Sequence, residues 1–249
     1  MQHELFYQPQ LLRNISGIRV AESTRHGGVS PAPFASLNLG INTQDSDEHV
    51  WKNRNLLSKA LEIHPESWAY ASQVHEDRIA YVDAPGKYEG YDALICGKNG
   101  PSIGVQTADC TPILIYDTQT GARAAIHAGW RGTIAKIAYK TLVEMQRRFG
   151  TDARECLVYI GTCIDANSFQ VGEEVAQHFS PELKTPDTAE GKYLVDLKKA
   201  NALQLLDLGV PEQHIEISSF CTIKHNDRYF SHRLENGITG RMMTLIGAV

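Results

Sequence analysis

Apolar positions in the first half of the chain come as short runs of about five to seven residues, each closed by Gly, Pro or Asp. That pattern predicts strands at 17–23, 69–74, 79–83, 91–96, 102–107, 112–117 and 122–128, with a hairpin turn from Asp117 to Gly121. Three later runs, 155–161, 215–220 and 242–246, read the same way. The period changes at a few places. Residues 47–61 set Val50, Leu57, Ala60 and Leu61 on one face, with Ser46 or Asp45 available as N-cap. Residues 130–149 space Ile134, Ile137, Ala138, Leu142, Met145 and Phe149 as a helix ending in Arg147, Arg148 and Gly150. Shorter helices are expected at 171–179 and at 196–208, the latter stopped by Gly209 and Pro211. Residues 180–191, rich in Pro, Thr, Glu and Asp, read as a surface excursion between two helices. Strands that cluster without regular helix alternation exclude a doubly wound sheet and predict an α+β fold of layered mixed sheets. No linker or repeat divides the chain, so 1–249 is expected to be one domain.

Composition narrows the function. Of 249 residues, 42% are hydrophobic and 21% charged, an ordinary globular balance that argues against long disorder. A net charge of −5 provides no general basic field for nucleic acid. No apolar run reaches the roughly 18–20 residues that span a bilayer. The N-terminus lacks a basic stretch followed by an apolar one, and the five cysteines (Cys96, Cys110, Cys156, Cys163, Cys221) have no framework spacing. A cytoplasmic protein with free or metal-bound thiols is expected. Oligomeric state leaves no mark in the sequence.

Three residues stand out as chemistry. His75, Cys110 and His127 each fall at a strand end, where neighbouring strands bring side chains together. Two imidazoles and a thiolate suit Zn²⁺, and three protein ligands leave a fourth position open, as in catalytic zinc sites. The alternative is two satisfied histidines and an inert cysteine.

The segments around them resemble a known family. Gln73-Val-His75, Thr107-Ala-Asp-Cys110-Thr-Pro-Ile-Leu114, Ile126-His-Ala-Gly-Trp-Arg-Gly-Thr133, Phe230-Ser-His-Arg233 and Gly237-Ile-Thr-Gly-Arg-Met242 look like the YfiH-like, or laccase-domain, family. The likeness begins at Ser23-Thr-Arg-His-Gly-Gly-Val-Ser30 and Leu37-Asn-Leu-Gly40 and runs in order to the C-terminus. It implies a purine nucleoside phosphorylase with adenosine deaminase and methylthioadenosine phosphorylase activities in one site. It also implies one zinc on His75, Cys110 and His127, and one domain of layered mixed sheets flanked by helices (α-β-β-α). The chain departs from the family at Ile160-Gly-Thr162 and Phe169-Gln170-Val-Gly172, where Ile-Gly-Pro and Tyr-Glu-Val-Gly are usual. The missing phenol at Phe169 and carboxylate at Gln170 put any role of those positions in doubt.

Phosphorolysis needs an anion site beside the sugar. Arg131 at a helix start is one candidate, with surface placement the alternative. Arg25 beside Gly27-Gly28 is another, with a plain turn the alternative. Asp109 is a candidate for shuttling protons or orienting a histidine, and equally for capping a turn. Gln73 either contacts the base or pairs with a strand edge. Residues 229–233 alternate as in a strand, so His232 or Arg233 could face the pocket. Arg241 could reach phosphate, although a structural salt bridge is the favoured reading.

A multicopper oxidase needs about ten histidine ligands, many as His-x-His. The chain has ten histidines in all and no such pair, so copper chemistry is not expected. The stronger rival is a metal-free Cys–His hydrolase or deamidase with Cys110 as nucleophile and His127 or His75 as base. A third reading is a binding or quality-control protein for nucleotide-linked cell-wall precursors.

Overall fold

Side chains of a strand alternate between two faces, and in this chain both faces of the central strands are apolar, which forces layers on both sides. The computed structural model describes residues 4–248, with elements numbered in chain order. The first mixed sheet runs β1 (Phe6–Tyr7), β2 (Ile18–Ser23), β15 (Met242–Ala248), β7 (Ser102–Thr107), β3 (Trp68–Ser72), β5 (Gly86–Glu89). The second runs β14 (Ile215–Ile217), β10 (Cys156–Ile160), β8 (Thr111–Asp117), β9 (Arg123–Ala128), β6 (Ala93–Cys96), β4 (Ile79–Tyr81). A small antiparallel sheet orders β11 (Gln170–Gly172), β13 (Lys192–Val195), β12 (Lys184–Pro186). The helices are α1 (Asp47–Leu61), α2 (Trp130–Ile134), α3 (Ile137–Phe149), α4 (Glu173–Ala176) and α5 (Leu197–Asp207).

The layers follow from the alternation. Leu94 and Cys96 of β6, Leu114 of β8 and Ala125 of β9 pack with Val20, Ala71, Ile103 and Val105 of the first sheet, making the core between the sheets. Their neighbours Ala93, Ile95, Ile113 and Ile126 point the other way, against Ile137, Leu142 and Met145 of α3 and Leu205 of α5. On the far side of the first sheet, Leu57 and Leu61 of α1 pack on Ala21, Met243 and Leu245. The order is helix, sheet, sheet, helices: the α+β layering expected.

Several local expectations are corrected. The helix read over 130–149 is two helices, because Lys136 takes a left-handed conformation (φ 60°) and breaks the run. Residues 171–179 open as β11 and hold only four helical residues. The excursion at 180–191 contains β12, paired with β13. Residues 229–233 are irregular backbone leading into a turn rather than a strand. Among the described residues no helix is long and apolar enough to cross a membrane.

Candidate active site

The two large sheets end together at one edge of the molecule, and the predicted chemistry collects there. His127 is the penultimate residue of β9, on the same face as Ala125, so its ring points between the sheets. The β8–β9 register pairs Thr111 with Ala128, which sets Cys110, one step further, beside Gly129. His75 lies just beyond β3 and adopts φ 65°. Its ring meets that of His127 edge to face, with centroids 4.8 Å apart.

The donor atoms of His75, Cys110 and His127 lie within 4.8 Å of one another, and the cluster could hold a metal ion. A Cβ added at Gly129 would sit 3.2 Å from Cys110 Sγ, 3.4 Å from His75 Cδ2 and 3.8 Å from His127 Cε1. The missing side chain at Gly129 is therefore what leaves the three groups room to converge. His127 is buried, Cys110 half-buried and His75 exposed, so the cluster opens on one side.

Asp92, which sequence reasoning passed over, holds the arrangement together. Asp92 is fully buried just before β6, and its Oδ1 lies 2.7 Å from His127 Nδ1. The same carboxylate accepts the backbone N–H groups of Val74, His75 and Glu76 at 3.0–3.2 Å. One residue thus orients one imidazole and shapes the loop bearing the other, leaving His127 Nε2 to face the cluster. Burial opposes its charge, but the bonds from His127, Glu76 and Val74 hold its pKa below the ordinary carboxylate value. Burial would raise the Cys110 thiol, yet His127 and His75 beside it bring it down to about 6. His127 moves up to about 9: burial works against its charge, and Cys110 and Asp92 outweigh it.

The cluster forms the floor of a cleft of about 530 Å³. Gln73, Asp109, Arg131, His232 and Arg233 all line it, with Trp130, Phe169, Thr107 and Arg241. Gln73 reaches the cleft as a strand-edge partner: its amide donates to Gln106 O at 2.6 Å and accepts from Gln106 N at 2.9 Å. Asp109, at φ 87°, accepts from Thr222 Oγ1, Ser231 Oγ (2.8 Å) and Arg233 N (2.7 Å). Arg131 is exposed, with its guanidinium 4.4 Å from the Trp130 ring centroid. The helix it sits on has five residues, too short for the strong helix-end field that the unbroken helix implied. Arg233 lies over the Phe169 ring and donates to Gln170 O at 2.7 Å. Burial, with Arg241 and His75 nearby, lowers the pKa of His232 against the pull of Asp109.

Arg25 is not brought to this cleft. Its guanidinium donates to Ala35 O, Asn226 O and Glu235 Oε1 at 2.7–3.1 Å, tying the N-terminal region to the C-terminal segment. Gln170 points its amide to Asp187, outside the cleft, and Thr162, whose hydroxyl bonds with that of Ser218, does not line it. Among the described residues Arg241 has no carboxylate partner, so the salt bridge favoured for it is absent.

Comparison with known proteins gives the same frame. Residues 19–249 match the family model described as multi-copper polyphenol oxidoreductase laccase. A purine nucleoside phosphorylase of Bacteroides thetaiotaomicron is 37% identical, the match covering 94% of this chain and 92% of that protein. Purine nucleoside phosphorylase YlmD of Geobacillus stearothermophilus is 36% identical over 90% of this chain and 88% of its own. The crystal structure of YlmD from the same organism superposes with a TM-score of 0.91 at 33% identity, covering 98% of this chain and 99% of that one. The Bacillus licheniformis hypothetical protein YfiH gives 0.89 at 31% identity, covering 93% of each chain.

Proposed function

Since the chain belongs to the YfiH-like, laccase-domain family, we propose that it is a zinc-dependent purine nucleoside phosphorylase. It converts adenosine, inosine or guanosine and phosphate to free base and ribose 1-phosphate. Adenosine deamination and methylthioadenosine phosphorolysis are assigned to the same cleft. The observation that carries the reading is the convergence of His75, Cys110 and His127 beneath a cleft lined by arginines. Two relatives at 36–37% identity named purine nucleoside phosphorylase support it.

The donor set fits zinc: two imidazoles and a thiol already drawn down to about 6, around a glycine that leaves them space. Bound there, zinc supplies Lewis-acid polarisation to whatever oxygen faces the cleft. The chain's own residues do the rest. Asp92 fixes the His127 tautomer. Phe169 and Trp130 offer flat apolar walls to a purine. In phosphorolysis a phosphate oxygen bonds to the anomeric carbon as the N-glycosidic bond breaks, and the bonding pair leaves with the purine. Arg131 and Arg233 on the cleft wall attract the phosphate. His232 faces the same space as a hydrogen-bond partner for base or sugar. Asp109 lies beside Cys110 but spends its carboxylate on the C-terminal segment, which favours positioning over proton transfer.

Purified protein incubated with adenosine and phosphate should release ribose 1-phosphate with adenine, and inosine or hypoxanthine from deamination. Absence of all these products sinks the proposal and favours a binding role. Cys110→Ala should abolish both zinc retention and turnover. A second reading rests on the Asp92–His127 pair beside Cys110, which is also the arrangement of a metal-free cysteine hydrolase. Activity that survives chelation in a protein without stoichiometric zinc would select it.

A further inference from the structure

The cleft holds one guanidinium that the fold positions firmly and that makes no direct ion pair among the described residues, although Cys110, Asp109 and Glu235 are near enough to favour its charge. Arg241 has its backbone clamped, N–H to Asn38 Oδ1 at 2.9 Å and carbonyl to Leu39 N at 3.1 Å. Its stem lies on Gly40, where a Cβ would come within 2.6 Å of Arg241 Cγ. Nη1 donates to the carbonyls of Thr239 and Gly240, both at 2.9 Å, and this fixes the plane of the fork. No hydrogen-bond partner among the described residues takes the Nη2 or Nε side.

Beside it stands a second unspent group. Met242 pairs with Thr107, so Arg241 flanks the end of β7 where Thr107 meets Ala108, Asp109 and Cys110. Thr107 is 2% exposed, lines the cleft, and its hydroxyl is buried with no partner among the described residues. Buried hydroxyls are ordinarily paired, because one left without a partner gives up its bonds to water for nothing. A fixed cationic fork and a lone hydroxyl, both lining the cleft at the ends of paired strands, are the chemistry that a tetrahedral oxyanion takes.

We propose that Arg241 and Thr107 form the seat of the inorganic phosphate co-substrate, with Arg131 and Arg233 contributing only from the outer wall. The assignment rests on the phosphorylase reading, but its first test does not. Titration calorimetry with inorganic phosphate alone should show binding to the zinc-loaded protein. Thr107→Val should weaken it about 5–10-fold and Arg241→Gln about 10–100-fold, the range expected for hydrogen bonds to a charged group. Arg241→Lys should fall between. Phosphate KM should rise in step while nucleoside KM changes less than about threefold.

Thr107→Val removes a hydroxyl that bonds to nothing among the described residues, so its melting temperature should hold or rise. That separates a ligand role from a structural one. Phosphate affinity and phosphate KM unchanged in both Thr107→Val and Arg241→Gln would overturn the seat. Phosphate that binds wild type and is lost from these variants, in a protein that turns over no nucleoside, would keep the seat and sink the phosphorylase reading instead.

Discussion

At the scale of single residues, Asp92 explains why the cluster exists where it does. Its carboxylate contacts both histidine-bearing segments, 17 and 35 residues away in sequence. Asp92→Asn keeps the shape but can no longer accept freely from His127 Nδ1 and three backbone N–H groups at once. Outer partners of this kind are worth about 10–100-fold in metal affinity, so zinc affinity should fall by that much in competition with a chromogenic chelator. Unchanged affinity would show that the backbone alone sets the two rings. Gly129→Ala tests the opposite limit. The added methyl meets Cys110 Sγ at 3.2 Å with two imidazoles behind it, so zinc binding should weaken while the melting temperature of the metal-free protein changes little. Asp92 was hard to read from sequence because an acid before an apolar strand is commonplace. Arg25 misled for the converse reason. A cation beside two glycines suits an anion, and nothing nearby announces Glu235, 210 positions on, as its partner.

Elements with one dominant period were legible. The strand at Ser102–Thr107 and the helix at Asp47–Leu61 fall where the pattern set them, the helix with Ser46 capping His49 N as expected. The break at Lys136 escaped because apolar spacing carries on across it while the backbone does not. The C-terminal segment escaped because its shape comes from two carboxylates, Glu235 within it and Asp109 more than a hundred residues away. Asp109 holds Thr222, Ser231 and Arg233, while Glu235 accepts from Arg25, Asn226, Ser231 and Thr239. Over 229–233 burial does not alternate: Tyr229, Phe230 and Ser231 are all buried and His232 and Arg233 exposed, along irregular backbone. Asp109→Asn puts a donor where the Arg233 N–H now donates. Amide exchange across 231–235 should accelerate at least tenfold, with kcat falling as His232 and Arg233 lose their place. Unaltered exchange together with a 10²–10⁴-fold loss of deamination alone would instead make Asp109 the proton carrier.

For the molecule as a whole, the layered α+β plan was legible because the central strands are apolar on both faces, whereas the polar link between the layers was not. Glu22 follows Ala21 in β2, and an acid at an alternating position is expected to meet solvent. A second sheet covers that face, and Glu22 is fully buried. It accepts the Tyr159 hydroxyl and the Thr162 N–H, the latter at 2.8 Å, joining β2 of one sheet to β10 and its following turn in the other. Burial raises its pKa above the ordinary 4.5, although the Tyr159 and Thr162 bonds and the charge of Lys198 oppose the shift. The sign of the pH dependence follows. A carboxyl whose pKa is higher in the folded state binds its proton more tightly there, so its stabilising contribution is complete below pH 4.5. That contribution is lost as pH rises through the folded pKa. Glu22→Gln keeps a carbonyl for Thr162 and carries no charge to bury. Its melting temperature relative to wild type should climb with pH above 4.5 and level off once the native carboxyl has ionised. For a chain of this size each kcal/mol moves the midpoint by about 2–4 °C, so the trend is measurable by scanning calorimetry from pH 4 to 9. Taking the difference between the two proteins cancels the exposed carboxylates, which titrate alike in both. A difference that is flat across this range, or that falls as pH rises, would show that Glu22 stays ionised between the sheets, held by Tyr159, Thr162 and Lys198.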